Sequence, residues 1–446
     1  MARNRQARRK NSPPKTFANC LRDFLTPGLW KQAHKAAGKP FKKGRRWALQ
    51  PLLLVLLSMT WCLGDSQPER FETARGFCVL LLPKRRRPGQ TVQGFQKALA
   101  RLPMAVFEAL AAALRGRFLA RLRPALTVDG FIPLGCDGTR LRCPRVAALE
   151  KCMGKSAQDD TPPQAWLTAI VHLTTGLLWS WRAGPGDSNE RKHLASLLDT
   201  LPARALVVTD AGYPAYELAV AMATKSVEFL MRVSSQLTFY VDAECTTPLV
   251  EWHDGQVWWW PKEIRERKQP PLQVRLLRVG GRKHDVWLIS NVFAAERLSL
   301  TTAGRFYKLR WENEGFFRSY KKTLNKMKLL SRTEALVYRE IAGSLLATQL
   351  LQAQGVQALA ACEQKEAKNS LRQQVRLVRD EIYGRSHGGN YVRCLQAALR
   401  EQRARTSVKE ARVWPSRDPH KVLEPPNIRV LKKHEKSLMR KLLGTE

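Results

Sequence analysis

The sequence predicts an α/β fold with a β-rich insertion and helical N-terminal and C-terminal regions. Phe131–Asp137 (FIPLGCD) and Ala205–Asp210 (ALVVTD) are short apolar runs that each end in an aspartate, as buried strands do. Strand hairpins, then a helix, then a strand is an α/β order. Between 227 and 293 short apolar runs alternate with turn residues, the mark of successive short strands.

Size and charge narrow the partners. At 446 residues the chain has room for two or three domains, or for one domain with a large insertion. Its 76 Lys and Arg against 38 Asp and Glu leave a formal net charge of +38. Such an excess predicts a polyanion as partner, nucleic acid before membrane surface. Pro51–Cys62 (PLLLVLLSMTWC) is the stretch to test for membrane. A bilayer needs about 20 apolar residues, so this run reads as a buried helix and no membrane partner is expected. The basic first residues are not followed by an apolar signal core, which argues against secretion. Nine cysteines lie without C-x-x-C spacing, and no His stands at a zinc-like interval from Cys136, Cys143 or Cys152. Reduced thiols in a cytoplasm fit that pattern, and no structural metal is expected.

Residues 1–47 are rich in Lys and Arg and read as a flexible arm that grips phosphates. From Trp47 to Leu122 the spacing is helical, with Phe95, Leu99, Leu102, Val106, Leu110 and Leu114 on one stripe. Residues 1–124 are therefore taken as a basic arm and a helical DNA-binding domain. The α/β core begins at 125 and its first part runs to 226. Ala165–Trp181 is expected to be a strand, a turn at Gly176 and a second strand. Asp187-x-x-Glu190 looks like a capping box opening a helix to Leu201. A helix from Ala215 to Thr224 should follow the Ala205–Asp210 strand.

The insertion is assigned to 227–300, with turns at Asp254-Gly255 and Gly280-Gly281. The core resumes over 301–360, where Thr333–Gln354 has the pattern of a long amphipathic helix. Residues 361–446 form a basic helical C-terminal region, and its Arg429–Leu443 segment is amphipathic.

The stretch that organises the chain is Phe306–Lys322, FYKLRWENEGFFRSYKK. On a helical wheel Tyr307, Arg310, Glu314 and Lys321 fall within an arc of roughly 60°. Phe306, Leu309, Phe316, Tyr320 and Leu324 make an apolar stripe roughly 100° away. An ordinary solvated face with Arg310 paired to Glu314 is the bland account. Together with Asp137 and Asp210 the face has more to do. Three carboxylates from two strand ends and one helix can hold two Mg²⁺ or Mn²⁺ ions, since hard cations take oxygen ligands. Two such ions can serve phosphodiester cleavage or strand transfer. Tyr307, Arg310 and Lys321 would then hold phosphate oxygens.

Tyr307, Arg310, Glu314 and Lys321 also reproduce, without a gap, the Tyr-x2-Arg-x3-Glu-x6-Lys hallmark of the insertion-sequence-four family. The chain resembles these RNase-H-like DDE transposases from about Ala125 to Leu346, with Asp137 in CDGT and Asp210 in VVTDAGY matching the family's first two acids. The resemblance implies that Asp137, Asp210 and Glu314 bind the catalytic metals, and that Tyr307, Arg310 and Lys321 contact DNA near the cleaved end. It also implies a DNA contact for Arg232 in FLMRVSS and base stacking by Trp287 in VWLISN. The function so implied is cut-and-paste transposition: binding of terminal inverted repeats, pairing of two ends by a homodimer, hairpin formation during excision, and joining to target DNA. A prokaryotic, nucleoid-associated protein is implied with it. Two other readings stand beside it: an RNase-H-like nuclease without strand transfer, and a non-catalytic basic DNA-binding protein derived from a transposase.

Overall fold

The structure is a computed structural model. It describes residues 15–38, 47–83, 87–154, 161–242, 251–280, 284–361, 368–385, 389–401 and 424–444. The chain divides into two compact units, one of residues 1–117 with 346–402 and one of residues 118–345 with 403–446.

The first unit is helical. It contains α1 (Phe17–Phe24), α2 (Pro27–Ala37), α3 (Leu49–Trp61), α4 (Gln67–Leu81), α5 (Val92–Ala100) and the start of α6 (Met104–Leu126). Helix α3 is the run tested for membrane, and nearly every residue on it is buried. Among the described residues no helix is long and apolar enough to cross a membrane. Helix α4 opens with a capping box between Ser66 and Glu69, which satisfies two otherwise orphaned backbone donors. Only part of the arm assigned to 1–47 lies among the described residues, and that part is not an arm. Phe17, Leu21 and Phe24 form a buried stripe on α1, and the Phe17 ring packs edge-on against Trp61 at 5.5 Å. Apolar residues at helical spacing outweigh the basic composition there.

Among the described residues the second unit is built on a ten-stranded sheet. Its core strands are β1 (Ile132–Arg142), β2 (Gln164–His172), β3 (Leu178–Pro185), β4 (Ala205–Thr209) and β5 (Glu228–Arg232). They lie in the order β3-β2-β1-β4-β5. Strands β1, β2 and β3 are antiparallel, and β1, β4 and β5 are parallel. This is the RNase-H-like arrangement. The turn between β2 and β3 carries Gly176 at φ +67°, where a residue without a Cβ is at ease. Between β1 and β2 lies α7 (Ala147–Cys152), and α8 (Glu190–Leu197) and α9 (Tyr216–Thr224) flank β4 in sequence.

Strands β6 (Thr238–Val241), β7 (Asp254–Trp259), β8 (Leu272–Val279) and β9 (Val286–Ser290) are the insertion's strands, with α10 (Lys262–Glu266) between β7 and β8. They extend the core sheet, because β9 pairs antiparallel with β5. Strand β5 itself, grouped with the insertion from sequence, pairs parallel with β4. Asp254 and Gly255 are not a turn but the first residues of β7. A Cβ on Gly255 would stand 2.7 Å from the Trp252 ring, so this glycine marks a close approach. Gly281 lies outside the described residues.

After the insertion come α11 (Leu300–Leu309), α12 (Glu312–Arg318) and α13 (Glu334–Ala360), whose second half belongs to the helical unit together with α14 (Leu371–Ile382) and α15 (Tyr391–Arg400). The Arg429–Leu443 segment is a strand and a helix, not one amphipathic helix. Strand β10 (Asn427–Val430) pairs parallel with β6 at the sheet edge, and α16 (Lys433–Leu443) follows. Arg265 pairs with Glu435, and Lys436 with Asp242 at 3.2 Å.

Candidate active site

The two aspartates are placed by neighbouring strands. Gly135 on β1 stands opposite Val208 on β4. That pair closes the ladder; Asp137 lies two residues further along β1, and Asp210 follows the last residue of β4. On β4, Leu206 and Val208 share one face and pack with Phe306 and Tyr307 of α11. Asp137 shares its face of β1 with Gly135, against which Asn313 of α12 lies.

Asp137 Oδ1 accepts from the Gly138 N–H at 2.8 Å, and Asp210 Oδ1 from the Gly212 N–H at 2.9 Å. Burial pushes the Asp137 carboxyl up to about 6, the Gly138 N–H and Arg310 oppose that rise, and Asp210 and Glu190 add to it. An acid kept this close to another acid in low dielectric has an excess of negative charge that a cation would relieve.

The motif segment is not one helix. Helix α11 ends at Leu309, Arg310 and Trp311 form a turn, α12 follows, and Ser319–Thr323 is a π-helical turn. Arg310 N–H bonds to Tyr307 O at 3.1 Å and Asn313 N–H to Arg310 O at 3.0 Å. Bonds of that three-residue span overwind the chain. The wheel expected for Phe306–Lys322 consequently does not hold across Arg310. Tyr307 is only 8% exposed and belongs to the core cluster under the sheet. Arg310 is buried too, its guanidinium 5.7 Å from the Tyr307 ring and 5.4 Å from the Trp311 ring. Trp311 is 60% exposed. Glu314 is half-buried in the first turn of α12. Lys321 lies in the π-helical turn, its pKa lowered by burial and by Arg142 at the end of β1.

Of the remaining candidates, Arg232 is the half-buried last residue of β5. Trp287 is buried on β9 with the Arg278 guanidinium 5.7 Å from its ring. Arg278 in turn donates to Asp285 at 2.7 Å.

Three residues at the site escaped the sequence reading. Helix α8 opens at Glu190, and its cap is Asn189, whose side chain accepts from the Arg191 and Lys192 N–H groups, rather than an Asp187 box. Glu190 lies beside the aspartates, its pKa raised by burial and by Asp210 and held back by a hydrogen bond from Tyr213. Tyr213 is fully buried. A Cβ on Gly138 would stand 2.8 Å from the Trp166 ring and 3.0 Å from the Glu190 carboxyl carbon, so glycine there gives both side chains room. Asn313, the third, is fully buried with neither amide atom hydrogen-bonded. It presses on β1 where a Gly135 Cβ would be 2.6 Å from its Nδ2. Orphaned buried polar atoms are costly and gather where a site has work to do.

Asp137 and Asp210 offer the oxygen donors that a hard divalent cation takes. Among the described residues no three His, Cys, Asp or Glu side chains converge closely enough to hold an ion. Residues 137–350 match the family model of the transposase DDE domain. The match supports a DDE transposase. It begins on Asp137 itself and takes in Asp210 and the whole Tyr307–Lys321 motif. Among solved structures the chain is similar to a piggyBac transposase synaptic complex with hairpin DNA, at 10% identity and a TM-score of 0.40, covering 85% of this chain and 84% of that one. No curated protein matches.

Proposed function

We propose that the protein is a DNA transposase that binds the terminal inverted repeats of its own element, cleaves there and joins the ends to target DNA as a homodimer. The observation that supports this reading is the parallel pairing of β1 and β4, which brings the strand that carries Asp137 next to the strand that Asp210 follows. Both acids lie inside the segment that matches the transposase DDE domain. The formal charge of +38 suits a partner made of phosphates.

In this reading Asp137, Asp210 and Glu314 are the carboxylates that would hold Mg²⁺ or Mn²⁺. Bound there, two divalent ions supply Lewis-acid activation of the attacking and leaving oxygens. Arg310 offsets the carboxylate charge and faces the scissile phosphate. Exposed Trp311 offers a flat face to an unpaired base. Tyr307, Lys321, Arg232 and Trp287 contact the DNA end, and excision passes through hairpin ends. The hallmark spacing of Tyr307, Arg310, Glu314 and Lys321 supports these assignments.

The test is metal-dependent cleavage and joining of element ends by wild type, Asp137→Ala, Asp210→Ala and Glu314→Ala. Loss of both steps in all three variants is expected. Cleavage by the aspartate variants at the parental rate would overturn the active site. Cleavage without joining by wild type would leave a nuclease.

A further inference from the structure

We infer that α16 presents a phosphate-binding face and that double-stranded DNA lies along it. The inference rests on the reading of DNA as the partner, and not on the active site. The insertion holds the helix at several points. Strand β10 lies parallel to β6, and the Leu431 N–H, at the junction with α16, donates to Val241 O at 3.0 Å. Glu435 pairs with Arg265 of α10, and Lys436 with Asp242 at 3.2 Å. Met439, one turn after Glu435, is buried.

These contacts sort the charges of the helix. Glu435 is its one acid, and it is turned inward to Arg265. At about 100° per residue Lys433, Arg440 and Lys441 fall with His434 and Ser437 within an arc of roughly 120°, opposite Glu435 and Met439. All five are exposed. Arg429 on β10 and Lys432, just before them in the chain, are exposed as well. The helix itself does not gain from this charge: Lys432 and Lys433 stand at the positive end of its dipole, where a cation is unfavourable. Lys433 and Lys441 are about 12 Å apart along the axis, at about 1.5 Å per residue. A duplex carries about one phosphate charge per 1.7 Å of its own axis, so a backbone lying along α16 offers each cation a phosphate. Every phosphate so neutralised releases its counterion, which makes the binding salt-dependent.

The experiment is fluorescence anisotropy of the full chain on a labelled random-sequence duplex between about 50 and 200 mM salt, with thermal melts and sedimentation alongside. The Lys433→Gln, Arg440→Gln, Lys441→Gln triple variant is expected to melt close to wild type and to show a salt slope shallower by about 0.9 for each cation removed. Its charge-keeping counterpart, Lys433→Arg, Arg440→Lys, Lys441→Arg, should bind as wild type does. A control triple, Lys225→Gln, Lys262→Gln, Arg305→Gln, removes exposed cations that already pair with Asp199, Glu266 and Asp129 and should leave the slope unchanged. If wild type binds no duplex, or binds it with a flat salt response, the reading of DNA as partner fails. If wild type shows a steep slope and the α16 variant keeps it, or the control loses as much, the face is wrong. A variant that keeps DNA affinity but sediments as a smaller species than wild type would give the face to a second copy of the chain and overturn the inference.

Discussion

Lys326 Nζ donates to Glu340 Oε1 at 2.9 Å with both side chains almost wholly buried. The second oxygen of Glu340 accepts from the Leu330 and Ser331 N–H groups at 3.0 and 2.9 Å. This network ties the loop after the motif to α13, and Leu329 N–H bonds back to Arg142 O at the end of β1 at 2.8 Å. Glu340→Ala takes the carboxylate away from a buried ammonium and from two buried N–H groups and is expected to cost about 3–5 kcal/mol in denaturant unfolding.

The same pair makes stability pH-dependent. Burial alone would raise the Glu340 pKa, but Lys326 and the Ser331 bonds overcome it and the net shift is downward from 4.5. A carboxylate with a depressed folded pKa stabilises above its unfolded value and loses that contribution as the pH falls through the folded one. Urea midpoints should therefore drop in acid more steeply for wild type than for a Lys326→Met, Glu340→Gln double variant.

Asp137 has the opposite sign. Its pKa is raised to about 6, by burial first, so ionising it works against the metal-free fold as the pH rises. Asp137→Asn should raise the thermal midpoint of the metal-free protein at pH 8, with the gain fading below about pH 6. Mn²⁺ affinity of wild type should fall over the same interval as the proton competes. Melts and titrations across that interval check both.

Gly135→Ala places a Cβ 2.6 Å from both Asn313 Nδ2 and Leu173 Cδ2. Neither neighbour is loose: Asn313 and Leu173 are both buried. Overpacking of this kind costs about 1–3 kcal/mol. The expected outcome is a folded protein with reduced denaturant stability and strongly reduced end cleavage, since α12 has to move off β1.

Binding to element ends should weaken steeply with salt. The logarithm of the association constant is expected to fall with the logarithm of salt at a slope of about −0.9 for each phosphate neutralised. Fluorescence anisotropy between about 50 and 200 mM salt measures this. A flat response would remove the phosphates from the interface.

The strands were legible because each is short, apolar and bounded by turn residues, and β4, β5 and β9 fall on the expected runs. Both aspartates stand out in the sequence because a charge at the end of a buried run has few structural reasons to be there. The break at Arg310 was not. A wheel assumes one winding throughout, and the three-residue bonds at Tyr307 and Arg310 are set by packing that no spacing records. Glu190 was missed because an acid in a helix's first turn is ordinary dipole chemistry. Its distinguishing mark is burial beside Asp137, which needs β1 and α8 in the same place. Strand β10 was read with the helical region because its four residues are too few to show a strand pattern beside a strongly amphipathic segment.

The placement of β10 bears on how the chain is made. Strand β6 waits with one edge open until residues 427–430, made long after it, arrive to cover it. An unpaired edge invites other strands. A chain cut short before residue 427 would keep all the motif acids yet expose that edge, so premature termination should yield sticky, self-associating fragments rather than quiet monomers.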